Sequence, residues 1–534
     1  MALDLVISGG SVLDGTGAPA RAVDVLVEGD RVVGLSTAPA EHGGQVIDAT
    51  GLTVTPGFVN VLSHAWASLQ VDGAGASDVL QGVTTEVFGE AFSLGPSNAD
   101  FEDLVSGYLD GRAEVRLMFD HLREGLDHLE SRGVAPNVAS FIGGTNLRIL
   151  GARFDDRPLE AHELDRLKGV VAEEMQDGAL GIGTALIYPP GRFARTDELV
   201  ELCTVVGQYD GTYISHMRSE GDWFLECLDE LIDIGAQAGC RVESYHLKAA
   251  GRHNWHKMQL AIERIEKARA SGQHVTADMY PYTAGGTALR SSIPPRFHVG
   301  GPDAFVARLD DADERTAMVA ALSGDDEPDF ENLFVAAGAE GILFGLDLED
   351  GTSAAGKTLH DLSLDLGLSH PETLVEVVRR SPSTSVLYFI ADEANVELGL
   401  SQPWVSLGSD AEGLTLGGSV PSLSSHPRAF GTFARFLGHY VRDRGVTTLP
   451  DGVRRLTSLP AETLGLKDRG VLRPGAFADL VVLDPATVAD RATYQDPAQY
   501  AVGVRDVVVN GRAVVRDGAM TSERPGRRVG RDRG

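Results

Sequence analysis

His216 and His246 each close a short apolar run, Thr212-Tyr213-Ile214-Ser215-His216 and Arg241-Val242-Glu243-Ser244-Tyr245-His246. Asp410 ends a third run, Val405-Ser406-Leu407-Gly408-Ser409-Asp410, and His64 ends a fourth that begins at Pro56. Neutral imidazoles delivered by separate strands suit a zinc ion. A carboxylate beside them suits proton transfer to and from water. Each residue also has a plainer reading. A histidine ending a strand often serves only as a hydrogen-bonding group, and Gly-Ser-Asp is a turn former that can cap the next helix. Two histidines on successive strands, with an aspartate ending a later one, favour the chemical reading.

The elements that must position these residues are legible as repeats. Leu159 to Gln176 is amphipathic and precedes Gly178-Ala179-Leu180-Gly181-Ile182-Gly183. Asp197 to Gly207, Glu220 to Ala238, His256 to Ala270 and Glu393 to Leu400 likewise each precede a short strand-like run. This alternation predicts a parallel sheet. About eight such units fit within residues 56–455, which predicts an α/β chain with a (β/α)8 TIM barrel, whose active site lies at the strand carboxyl ends. Residues 1–55 and 456–534 are β-rich instead. Asn510-Gly511, between two valine-rich runs, is a tight hairpin signal. The two ends are expected to form one small β-sandwich. The rhythm breaks at about 290–350, around Pro294-Pro295 and Gly300-Gly301-Pro302, and an inserted lid over the barrel mouth is expected there. The Arg- and Gly-rich tail from Ser522 is expected to fray.

The chain has 534 residues and a net charge of −31, which excludes nucleic acid and anionic membrane as partners. Cys203, Cys227 and Cys240 make no CxxC or other metal-ligand spacing and are expected to be free thiols in a reducing compartment. Met1 leads directly into strand-like Leu3-Asp4-Leu5-Val6-Ile7, with no charged leader and apolar segment. A cytoplasmic protein is expected.

Several motifs occur in a specific order: Asp4-Leu5-Val6-Ile7-Ser8-Gly9-Gly10, Pro56-Gly57-Phe58, Gln81-Gly82-Val83-Thr84-Thr85 and Ser215-His216-Met217-Arg218-Ser219-Glu220-Gly221. His246-Leu247-Lys248-Ala249-Ala250-Gly251, Asp278-Met279-Tyr280-Pro281-Tyr282-Thr283-Ala284-Gly285, Gly408-Ser409-Asp410 and His426-Pro427-Arg428 follow. Together they resemble the amidohydrolase superfamily, and within it the N-acyl-D-amino-acid deacylase family, over nearly the whole length. The resemblance implies zinc-dependent hydrolysis of the amide of N-acyl-D-amino acids on a (β/α)8 barrel with a β-sandwich and a lid. It implies that His216 and His246 hold the metal and that Asp410 is the catalytic carboxylate. Lys248 and Tyr280 would hold the substrate carboxylate, with Arg428 a further candidate.

Departures from the family pattern shape the rest. Leu62 stands where the first histidine of a His-x-His pair is expected, and Asn60 where an aspartate often precedes it. Leucine cannot bind a metal, so a second ion is expected to be absent or weakly held, and His64 is left as a hydrogen-bonding residue. The family's metal-binding cysteine is also absent; Glu90 or Ala91 takes its place. Glu90 is the expected third ligand, since His2Glu is an established zinc set, with Glu86 the alternative and helix capping the plainer role. One zinc ion on Glu90, His216 and His246 is therefore expected. Gly286 replaces a family serine, which removes one hydroxyl contact to substrate. The Gly143-Gly144-Thr145-Asn146 loop is expected to line the mouth. Two other readings compete: another amide or cyclic-amide hydrolase on the same scaffold, and a non-catalytic barrel acting as a binding protein.

Overall fold

The computed structural model describes residues 3–37, 44–106, 115–116, 119–322, 330–418 and 426–531. Parallel strands form the centre. One three-stranded sheet takes Phe58–Asn60, Val83–Phe88 and Asn137–Ser140 in that order. A six-stranded sheet continues through Ile142–Gly143, Gly181–Ala185, Thr212–His216, Arg241–Ser244, Val275–Met279 and Val405–Leu407. Most of these strand residues are buried, as expected where helices cover a parallel sheet. In-register pairing sets Ala185 beside His216 and Ser215 beside Ser244, which aligns the strand ends that carry the histidines.

The helices between strands follow from their apolar spacing. Ala161–Gln176 buries Leu167, Val171 and Met175 on one stripe, and a reciprocal Glu160–Glu163 capping box starts it. Each such side chain contributes about 1.5–3 kcal/mol on burial. Phe224–Ala238 buries Phe224, Leu228, Leu231 and Ile234 and stops at Gly239, whose φ of 66° a side chain would disfavour.

The two chain ends share one seven-stranded sheet, in which Leu480–Leu483 pairs antiparallel with Thr53–Pro56 and Val504–Val509 pairs with Arg512–Arg516. The intervening Asn510 and Gly511 have φ of 47° and 78°, the geometry expected of that turn. A four-stranded sheet from residues 5–48 packs with it around Leu5, Ile7, Val25, Val54, Leu480 and Val508.

Between Met279 and the helix Glu393–Leu400, which packs in the main core, the chain departs into a separate unit. Ala284–Ala288, Ser385–Phe389 and Ile342–Phe344 form an antiparallel sheet, and helices pack on it around their own apolar cluster. The unit is wider than the interval 290–350 suggests, because its sheet pairs residues from both borders. Residues 323–329 of that interval and 532–534 of the tail lie outside the described residues.

The expectation of a frayed tail is corrected. Val138 N–H donates to Arg527 O at 2.9 Å and Val529 N–H donates to Val138 O at 2.8 Å. Val529 packs against an interior cluster that includes Val59, Leu180 and Leu464. Arg528 pairs with Asp127 at 2.6 Å. Close approach requires the glycines: a Cβ on Gly526 would stand 2.0 Å from Pro136 O. A chain ending at Glu523 strips the partners from Val138, a fully buried residue. Each orphaned group costs about 1–3 kcal/mol. Scanning calorimetry should show that variant melting several degrees below the full chain; an unchanged melting temperature refutes the packed tail.

Among the described residues no helix is long and apolar enough to cross a membrane. Cys203 and Cys227 are buried and Cys240 is partly so, and none forms a disulfide.

Candidate active site

Three strand ends bring His216, His246 and Glu90 together. Glu90 Oε1 lies 3.1 Å from His216 Nδ1 and 3.2 Å from His246 Nε2. Its other oxygen lies 3.1 Å from His64 Nε2, which is itself 3.0 Å from Asp410 Oδ1. Glu90 therefore belongs to two groups whose ligand atoms all fall within 4.8 Å, Glu90–His216–His246 and His64–Glu90–Asp410. The His2Glu set suits zinc in ligand type, and the spread of its atoms leaves room for an ion between them.

The backbone is bent at these positions. Ala91, His246 and Asp410 have φ of 58°, 32° and 49°. Such angles are costly for residues with a Cβ and cluster at functional sites. Neighbours hold them. Asp410 N–H donates to Leu62 O at 2.9 Å, and His246 N–H donates to Asp278 Oδ1 at 3.0 Å. The Gly143–Asn146 loop braces the turn that carries Glu90: Thr145 N–H donates to Ala91 O at 3.0 Å, and Ser93 N–H donates to Asn146 Oδ1 at 3.1 Å. A Cβ on Gly143 would meet Ala91 O at 2.6 Å, so glycine is required there.

Of the two carboxylates considered for the third ligand, only Glu90 meets the histidines. Glu86 accepts from Asn60 Nδ2 at 2.9 Å instead, and burial raises its carboxyl to about 7. Asn60 also accepts from Ser409 N at 2.9 Å, so it ties the strand before Asp410 to its own. Leu62 is buried in the interior cluster, as its side chain dictates.

The charged groups are paired. Burial opposes ionisation of Glu90, yet His216, His246 and His64 hold its carboxyl well below the usual range. Burial likewise opposes ionisation of Asp410, and Arg428 with His64 lowers it on balance. Arg428 Nη1 lies 2.5 Å from Asp410 Oδ2, so Arg428 reaches the site rather than a helix-entry surface pair. Burial works against a charged His64, but its two carboxylate neighbours push it up to about 10. Lys248 is paired with Glu220 at 2.7 Å. Tyr280 stands between the two cations, with its ring centre 5.6 Å from Lys248 Nζ and 4.8 Å from the Arg428 guanidinium. Arg428 Nη2 donates to Gly286 O at 3.3 Å, and a Cβ on Gly286 would come no closer than 3.5 Å to any neighbour.

Sequence reasoning gave Glu220 no role. Its signal was its place four residues after His216 in Ser-His-Met-Arg-Ser-Glu-Gly; the amphipathic run is expected from Glu220, whereas the helix begins at Phe224.

Residues 358–515 match the model of the amidohydrolase family. The D-aminoacylase of Alcaligenes xylosoxydans xylosoxydans is 32% identical over 529 residues, covering 99% of this chain and 98% of that one. A solved N-acyl-D-glutamate deacylase from Bordetella bronchiseptica, complexed with zinc and a phosphonate mimic of the tetrahedral intermediate, superposes with a TM-score of 0.81. It is 28% identical and is covered over 100% of its length by 99% of this chain. A D-aminoacylase structure described by its binuclear metal centre, with one-metal activation and second-metal attenuation, gives a TM-score of 0.82 at 31% identity, with 99% and 100% covered. With its histidines, bridging carboxylate and aspartate on parallel strand ends, the chain belongs to the D-aminoacylase family of amidohydrolases, enzymes that cleave C–N bonds other than peptide bonds.

Proposed function

We propose that this protein hydrolyses the amide bond of N-acyl-D-amino acids with one zinc ion held by Glu90, His216 and His246. The convergence of those three residues beside Asp410 carries the reading. A zinc ion held by these residues would supply Lewis acidity, polarising the scissile carbonyl and acidifying water. Asp410 takes the proton from the attacking water and passes it to the leaving amine. Both of its oxygens have partners, Oδ2 with Arg428 and Oδ1 with His64, and Oδ1 is the one on the side of Glu90. Lys248, Tyr280 and Arg428 form the cationic wall that receives the substrate carboxylate.

The two parallel sheets are read as one (β/α)8 barrel spanning about residues 56–455. Ser140 and Ile142, on consecutive strand segments, join the sheets, and Val61 N–H donates to Leu407 O at 3.5 Å across the remaining seam. Residues 1–55 and 456–534 form the sandwich, and the unit between Met279 and Glu393 is the lid.

A second reading has one observation in its favour. Lys248 and Arg428 are both already neutralised, by Glu220 and Asp410. A substrate without a free carboxylate, such as a cyclic amide, fits such a site. A panel of N-acetyl-D- and L-amino acids with neutral and acidic side chains, together with cyclic amides, separates the two. The expected result is turnover of D-isomers, lost with chelator, and one zinc per chain by mass spectrometry. Turnover of cyclic amides alone favours the second reading, and two firmly bound zincs refute the single ion. Lys248→Met should raise KM for an N-acetyl-D-amino acid by roughly ten- to hundredfold, the worth of a charged hydrogen bond; an unchanged KM removes Lys248 from substrate binding.

A further inference from the structure

We infer that Glu220 is a positioning residue that decides which nitrogen of His246 is free to bind metal and at the same time holds the ammonium of Lys248 in place. The inference rests on the zinc site proposed above. Glu220 is buried, and Oε1 lies 2.9 Å from His246 Nδ1 and 2.7 Å from Lys248 Nζ. Its Oε2 lies 3.8 Å from His216 Nε2, a buried nitrogen with no hydrogen-bond partner. One carboxylate thus faces the outer nitrogens of both histidines whose inner nitrogens face Glu90.

A single hydrogen decides which nitrogen is free. His246 Nδ1 lies 2.9 Å from the Glu220 carboxylate and also 2.9 Å from the Lys248 ammonium. It cannot donate to the first and accept from the second at once. If Nδ1 were bare, the ammonium would donate to it, and a neutral ring would carry its hydrogen on Nε2, the atom aimed at Glu90. Nε2 could then not serve as a ligand. With the carboxylate present, Nδ1 carries the hydrogen and donates it to Glu220. Lys248 spends its hydrogens on Glu220 and on His246 O at 3.1 Å. Outer carboxylates fix ligand histidines in this way in many metal sites. The unusual feature is that the same carboxylate also neutralises the cation assigned to substrate.

Glu220 is itself pinned. Its N–H donates to Glu331 Oε2 at 2.5 Å, and its carbonyl accepts from Ala250 N–H at 2.7 Å. Glu331 belongs to the unit inserted between Met279 and Glu393. That unit therefore grips the backbone of the residue that orients both the ligand and the lysine.

The test compares three variants of the full chain. Lys248→Met leaves Glu220 to His246 alone. Glu220→Leu/Lys248→Met removes the charge pair together, so that no lone buried charge threatens the fold. Glu220→Gln/Lys248→Met returns one acceptor oxygen. Zinc affinity, read by competition with a chelator, should be similar in the first and third and about ten- to hundredfold weaker in the second. Equal affinity in the first two overturns the inference, as does failure of the glutamine to rescue. A second readout is the far-downfield imidazole N–H resonance of His246 in metal-free protein. It should be present in the wild type and absent from the leucine variant; persistence there overturns the inference. If the wild type binds no zinc, the proposed function falls, and this resonance still decides the role of Glu220.

Discussion

Asp410→Asn should lower kcat on an N-acetyl-D-amino acid by about 10²- to 10⁴-fold, the range that a positioned acid–base group supplies, while the zinc content stays at one per chain. Asparagine has the same shape but cannot accept the proton from water. Zinc should remain because Asp410 is not among Glu90, His216 and His246. The substitution also leaves Arg428 buried without its counterion, and breaking such a pair from one side costs about 3–5 kcal/mol. A loss of activity could therefore be a loss of fold. Asp410→Asn/Arg428→Met removes both halves of the pair and should recover much of the thermal stability without recovering turnover. A double variant that regains activity with its stability would show that Asp410 is structural. Substantial turnover in stable, zinc-loaded Asp410→Asn would remove it as the proton carrier.

What the sequence disclosed depended on the range of the interactions. His216, His246 and Asp410 could be found because each ends a run whose strand character is local, and register then aligns the ends. Glu90 was expected as the third ligand from the place of the family's cysteine, with Glu86 kept as the alternative because both lie near that strand's end. The difference lies in partners 26 and 126 residues away, Asn60 for one and His216 for the other. The pairing of Asp410 with Arg428 and the place of His64 between two carboxylates are likewise tertiary. Neither alters a local pattern. The tail shows the converse error. Its arginines and glycines read as disorder by composition, but the glycines admit close backbone contacts and the arginines meet Asp30, Asp127 and Asp210. The borders of the inserted unit were missed because Ala284–Ala288 and Ser385–Phe389 pair across roughly a hundred residues.

The sharpest division between the two glutamates comes from matched substitutions. Glu90→Gln should strip the protein of zinc on dialysis, with a loss of affinity beyond the roughly ten- to hundredfold that an outer partner controls, and activity should fall with the metal. The amide has no charge to offer the ion, and His64, His216 and His246 lose the carboxylate they share. Glu86→Gln should keep one zinc per chain. Its Oε1 is buried without a hydrogen-bond partner and burial already favours its neutral form, so replacing the acid with an amide removes a desolvation penalty rather than an ion pair. Its melting temperature should hold or rise. Metal analysis of both variants after the same dialysis decides the matter. Zinc kept by Glu90→Gln and lost by Glu86→Gln would move the metal four residues back along the chain, away from His246 and Asp410, and the proposed chemistry with it.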